Sequence, residues 1–152
     1  FRRVLFRSYG DGNPREESFL DSLIASLHLQ TVTIHPSTPD IFAEYLQSDF
    51  LVCSSRWESF GLILIEAMSC GIPVVSFDCD NGPRNIIEDG EDGLLVENGN
   101  VGSLAESICQ MIHCRERRNQ MGINARQHVM RFKQDIIFRQ YVDFYKEFKS
   151  PR

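Results

Sequence analysis

Glu58 and Glu66 lie eight positions apart, two carboxylates flanking the almost wholly apolar run Ser59-Phe60-Gly61-Leu62-Ile63-Leu64-Ile65. Gly61 and Leu62 suit the first turn of a helix, and Gly71 suits its C-terminal stop. Glu66 then falls inside a helix among Ile63, Leu64, Ile65, Ala67 and Met68. A helix apolar on nearly every face is a buried one. A bare carboxylate there is costly unless something hydrogen-bonds to it, so the sequence predicts a ligand or a strong protein partner for Glu66. Glu58 sits just before the helix, where the dipole favours negative charge. The same helix start offers free backbone N–H groups to an anion, and Gly61 has no side chain to hold a phosphate at a distance.

These residues need a scaffold that delivers them to one edge. Gly10-Asp11-Gly12-Asn13-Pro14 is a dense turn signal, and Leu20, Leu23, Ile24 and Leu27 follow at helical spacing. Thr31-Val32-Thr33-Ile34 reads as a buried strand, Asp40 to Leu46 as a short helix, and Phe50-Leu51-Val52-Cys53 as the strand before the Ser54–Ser59 loop. After the carboxylate-bearing helix come a strand at Val74–Phe77, a short helix from Asn81-Gly82-Pro83 to Ile87, and a last strand at Gly93–Val96. Strands alternating with helices through short loops predict an α/β fold, a Rossmann-like parallel sheet flanked by helices. In such sheets ligands bind beyond the carboxyl ends of the strands. The last third is helical, with Asn100 or Ser103 as an N-cap before Leu104, Ile108, Met111 and Ile112. A second helix runs from about Arg115 to Val129, and a third carries Ile137, Tyr141, Phe144, Tyr145 and Phe148 on one face. That stripe is read as packing in preference to a membrane-surface face.

The segment SSRWESFGLILIEAMSCGIPVVSF resembles the E-x7-E signature of the family-4 retaining glycosyltransferases, which have the two-domain GT-B architecture. GPRNIIEDGEDGLLVENGNVGSLAESI continues the pattern downstream, and YGDGNPREESFLDSLIASLHL resembles the family's Gly-Asp-Gly turn and following helix. The resemblance runs from about Tyr9 to about Phe148 and identifies residues 9–152 as a C-terminal nucleotide-sugar-binding domain. It implies that Ser59, Phe60, Gly61 and Leu62 meet the diphosphate and sugar, as the helix-start geometry also suggests. It implies that Glu66 accepts both ribose hydroxyls, which one ionised carboxylate is able to do. It makes Glu58 the catalytic-site carboxylate, touching a donor-sugar hydroxyl beside the reacting carbon. Retaining transfer in the family is described as same-face attack assisted by the leaving diphosphate, so catalysis is mostly positioning and charge stabilisation. The family's Arg and Lys that neutralise the diphosphate fall upstream of Tyr9. Arg56 and Arg84 are the basic residues on ligand-side loops, and Arg56 is taken as donor-binding. Gly10 and Gly12 approach the donor or form a simple turn. His35 and Pro36, at a strand's carboxyl end, are assigned to the nucleobase.

Other features bound the reading. Phe1–Ser8 resembles the translation of a common sequencing adapter and is set aside from fold reasoning, with the start of the natural protein expected upstream. The charge of -5 at pH 7 argues against nucleic acid, which would want a basic face. Five cysteines (53, 70, 79, 109, 114) form no C-x-x-C, Cys53 and Cys109 read as core residues, and a reduced cytoplasmic compartment follows. The four histidines lack metal-ligand spacing. Asp78-Cys79-Asp80 resembles the Asp-x-Asp of metal-dependent transferases, but a solvated loop is the better account, and no metal or cofactor is expected. The expected substrate is a nucleotide diphosphate sugar, UDP-sugar favoured, carrying a hexose or N-acetylhexosamine. The acceptor is a saccharide or lipid-linked molecule reached through a missing N-terminal domain, in polysaccharide biosynthesis, with peripheral contact at the inner membrane face. A GT-B-fold epimerase or phosphorylase and a non-catalytic nucleotide-binding module are the rivals. A dinucleotide dehydrogenase is disfavoured because Gly10-Asp11-Gly12-Asn13-Pro14-Arg15 lacks the third glycine of its motif.

Overall fold

The computed structural model describes residues 5–149, apart from the side chains of 148 and 149. Phe1–Val4 of the set-aside segment, and the Phe148 ring of the aromatic stripe, lie outside the described residues. The chain divides into two compact units, Phe1–Ile41 and Phe42–Arg152.

In the first unit, β1 (Phe6–Tyr9) and β2 (Val32–His35) pair in parallel, Phe6 opposite Val32 and Tyr9 opposite His35. Residues 6–8 belong to the segment set aside above, and they are strand. Between the strands runs α1 (Pro14–Ser26). Asn13 caps it by accepting from the Arg15 N–H, and Pro14 at the first position needs no hydrogen-bond acceptor. No residue of α1 is buried.

The second unit is built on β3 (Leu51–Cys53), β4 (Val74–Asp78) and β5 (Gly93–Glu97), all parallel in the order β3-β4-β5. β4 is central, and Val74, Val75, Ser76 and Phe77 are all buried, as expected of a strand covered on both faces. α2 (Ile41–Leu46) leads in, α3 (Leu62–Ser69) connects β3 to β4, and α4 (Pro83–Ile86) connects β4 to β5. α5 (Val101–His113) and α6 (Arg115–His128) follow, then a 3-10 turn (Val129–Phe132) and α7 (Gln134–Lys149). Asn100 is the N-cap of α5, its side chain accepting from the Ser103 N–H at 3.0 Å. The core joins Val75, Phe77, Leu94 and Val96 of the sheet to Leu104, Met111 and Met121 of the helices.

Cys53 is buried, but Cys109 is exposed and not a core residue. The buried stripe of α5 is set by Leu104 and Met111, and Cys109 falls off it. All five thiols are free. On α7, Ile137 is half-buried while Tyr141, Phe144 and Tyr145 are exposed, so the described residues do not cover that stripe. No helix among the described residues is long and apolar enough to cross a membrane.

Candidate functional site

β3 ends at Cys53 and releases the Ser54–Phe60 loop at the carboxyl edge of the sheet. The Asn98 side-chain amide, just past β5, donates to the Arg56 carbonyl at 3.0 Å and pins this loop. Gly82, just past β4, packs against the loop's other end. A Cβ at Gly82 would lie 2.9 Å from the Glu58 Cβ and 2.9 Å from the Phe60 carbonyl oxygen. Only glycine allows that approach, whereas the sequence marks Gly82 simply as part of the opening of a short helix. The Asn81-Gly82-Pro83 triplet was the available signal.

α3 starts at Gly61, which is left-handed at φ 90° and ψ 56°, and no side chain caps the helix. The first N–H groups of a helix have no intrahelical acceptor. The Leu64 N–H turns back to the Gly61 carbonyl at 3.0 Å, and the fully buried Leu64 side chain anchors the turn from below. Leu62 and Ile63 are exposed at this end. Glu58 is half-buried and Ser59 exposed. Trp57, the single tryptophan, is 78% exposed beside Glu58. Phe60 contributes its backbone to the loop, while its ring meets Phe132 edge-on at 6.0 Å.

Glu66 is half-buried one and a half turns into α3, about 7 Å along the axis from Gly61. The Tyr45 hydroxyl of α2 donates to Glu66 Oε2 at 3.2 Å. Tyr45 is 6% exposed. Burial first, and then the negative charge of Glu66, push the phenol well above its ordinary range, so it stays a protonated donor. The partner that burial demanded for Glu66 is therefore in part a neutral phenol. Nothing in the spacing pointed to Tyr45, which lies twenty-one residues earlier.

The two ligand-side arginines differ. Arg84 is engaged with Asp78, its Nε donating to Oδ1 at 2.9 Å and its Nη2 to Oδ2 at 3.2 Å, and it pairs with Asp80 at 3.5 Å. Both carboxylates of the Asp-x-Asp triplet thus pair with one guanidinium, and among the described residues no three His, Cys, Asp or Glu side chains converge as a metal site. Arg56 is exposed.

The remaining candidates belong to the first unit. The Gly10 N–H donates to the His35 carbonyl at 3.1 Å, and the Gly12 N–H to Glu17 Oε1 at 3.0 Å. Asp11, between them, accepts from the Ser37 N–H at 3.0 Å and from the Ser37 hydroxyl, and these bonds hold its carboxyl below the usual range. The His35 ring stacks on Tyr9 at 4.9 Å and shares a 3.0 Å hydrogen bond with Thr33. Pro36 is exposed.

Against known proteins, the family described as "Glycosyl transferases group 1" matches residues 7–128. The exopolysaccharide phosphotransferase SCO2592 of Streptomyces coelicolor is 34% identical over 148 residues, covering 96% of this chain and 16% of that protein. The N-acetyl-alpha-D-glucosaminyl L-malate synthase of Bacillus anthracis is 34% identical over 125 residues, 81% of this chain and 32% of that protein. The crystal structure of Anabaena Alr3699/HepE in complex with UDP-glucose superposes with a TM-score of 0.80 at 27% identity, covering 97% of this chain and 42% of that one. The chain thus spans less than half the length of each of these proteins.

Proposed function

Because the chain belongs to the group 1 glycosyl transferases, we propose that its second unit binds the nucleotide diphosphate sugar donor of a retaining glycosyltransferase. The observation that carries this reading is the uncapped, glycine-led start of α3 at the carboxyl edge of the sheet, with a carboxylate held one and a half turns further in. The diphosphate takes the N–H groups at Gly61 and Leu62, where the helix dipole favours its charge. Glu66 accepts the two ribose hydroxyls. Glu58 takes a donor-sugar hydroxyl and holds the anomeric carbon toward the acceptor. The Arg56 guanidinium closes over the diphosphate as its negative charge grows during bond cleavage. The acceptor hydroxyl attacks on the face that the diphosphate leaves, and its proton passes to the departing phosphate oxygen. The reading needs no resident metal.

The Anabaena complex supports UDP-glucose as a donor to test, and the Bacillus relative's name supports an N-acetylglucosamine donor. Polysaccharide assembly is the setting suggested by the Streptomyces relative's name. The test is calorimetric titration of this chain with UDP, UDP-glucose and UDP-N-acetylglucosamine, beside Glu66→Ala. Removing a charged hydrogen-bonding partner weakens UDP binding by roughly tenfold or more. Binding untouched by Glu66→Ala would refute the assignment. A longer version extended upstream is expected to transfer sugar and this chain alone is not, with turnover by the short form as the contrary result.

A further inference from the structure

We propose that Tyr45 is a positioning residue for the donor's ribose, fixing one oxygen of Glu66 so that the other faces the nucleotide. This rests on the reading of Glu66 as the ribose acceptor. The Tyr45 hydroxyl reaches Glu66 Oε2 at 3.2 Å from a ring that is nearly fully buried in α2 and meets Phe42 edge-on at 6.0 Å. The donor is therefore held by packing, while the acceptor is a half-buried glutamate with three rotatable bonds. An ionised carboxylate has about four acceptor positions, and one phenol occupies one of them. Among the described residues Tyr45 is the side-chain partner of Glu66 and it takes Oε2, which leaves Oε1 for a vicinal diol. The chemistry of the partner also matters. A lysine or arginine at this place would cancel the charge that strengthens hydrogen bonds from hydroxyl groups, whereas a neutral phenol orders the carboxylate and leaves its charge in place. A phenol is protonated across the neutral range in any case, and burial pushes Tyr45 further the same way, so the arrangement holds there.

The experiment compares UDP with 2′,3′-dideoxyuridine diphosphate on this chain, in the native protein, Tyr45→Phe, Glu66→Gln and the double variant. Tyr45→Phe is expected to weaken UDP binding by about five- to tenfold and to leave the dideoxy nucleotide within about twofold. It should add nothing once Glu66 is glutamine. Equal loss for both nucleotides would mean that Tyr45 merely supports packing and would overturn the proposal, as would no loss at all. Glu66→Gln binding both nucleotides as the native chain does would remove the ribose reading, and the proposal with it. That outcome is separable, because a failure confined to the Tyr45 arm leaves the Glu66 arm standing. Should Tyr45→Phe not fold, the 13Cζ resonance of Tyr45 in the native chain gives the answer. It is expected to shift with UDP and stay still with the dideoxy nucleotide, and equal shifts would count against the role.

Discussion

The two ends of the three-stranded sheet handle their polar groups in opposite ways. At the amino end the protein satisfies itself. α3 finishes with the Gly71 N–H on the Met68 carbonyl at 2.9 Å and the Ile72 N–H on the Ala67 carbonyl at 3.0 Å, a Schellman closure around left-handed Gly71. Arg118 donates to Asp49 at 3.1 Å and to the Met111 carbonyl. Asp92, fully buried just before β5, accepts from the Glu88 N–H at 2.8 Å and shares a 2.9 Å hydrogen bond with His128 Nδ1. At the carboxyl end the same α3 starts with no cap, and Arg56, Trp57 and Ser59 are exposed. One helix thus has a closed end and an open end. The closed end holds the fold together, and the open end is the one to which the donor is proposed to bind.

The largest expected effect lies at the closed end. A Cβ on Gly122 of α6 would sit 2.4 Å from the Gly71 carbonyl oxygen and 3.5 Å from Pro73 Cδ. The obstacle is backbone, so the helix crossing itself must open. Gly122→Ala is expected to destabilise the protein by about 3 kcal/mol or to prevent folding. Urea unfolding followed by circular dichroism measures it. A variant of native stability would break the contrast, because the amino end would then not be sealed by this contact.

Gly61→Ala comes next, at the open end. At φ 90° an L-residue is strained by about 1–2 kcal/mol. The new methyl would meet Leu64 Cδ1 at 3.0 Å, a side chain able to give way. Stability therefore falls less than in Gly122→Ala. The turn relaxes by rotating the first N–H groups of α3, so UDP-glucose affinity is expected to drop on the order of tenfold. Trp57 is the only tryptophan and adjoins the loop, so its fluorescence reports the titration. The two glycines should separate cleanly, one acting on folding and the other chiefly on binding.

What the sequence revealed of this contrast was its local part. Gly71 as a helix stop, Asn100 as a cap and Gly61 at a helix start each follow from residue type and neighbours within a turn or two, and all three stand in the structure. Burial also required a partner for Glu66 without naming one. Pairings across long stretches of chain left no such trace. Tyr45 with Glu66, Asn98 with Arg56 and Phe60 with Phe132 are selected by how elements pack, and no hydrophobic period encodes that choice. Arg84 illustrates the loss: its place on a ligand-side loop was legible, and its engagement with Asp78 was not. Strand residues 6–8 were set aside on the strength of their resemblance to an adapter, which carries no information about pairing.

Asp92 sharpens the contrast through pH. Burial raises its carboxyl above the ordinary 3.8, more than the Glu88 N–H and His128 lower it. A raised folded value means that Asp92 contributes stability below the unfolded value and loses it as pH climbs through the folded one. Asparagine at this position does not titrate. The stability of Asp92→Asn relative to the native protein is therefore expected to improve as pH rises from below 3.8 toward neutrality. Urea midpoints at several pH values decide it, since all other carboxylates are shared. A constant difference would mean that the closed end tolerates the charge as well as water does.

The smallest effect is expected at Arg84. Its pair with Asp78 is solvent-exposed, with side chains 50% and 35% accessible, and such pairs contribute little to folding and less in salt. Arg84→Ala should barely move the urea midpoint and should change UDP-glucose affinity by less than about twofold. Arg56→Ala should weaken the same binding several-fold more, with the gap narrowing as salt is added, if its exposed charge serves the diphosphate as proposed. The order of the two arginines is the informative quantity. If Arg84→Ala proved the more damaging, its guanidinium must leave Asp78 to meet the nucleotide. The open end would then be one that the ligand rearranges, in place of one that waits preformed.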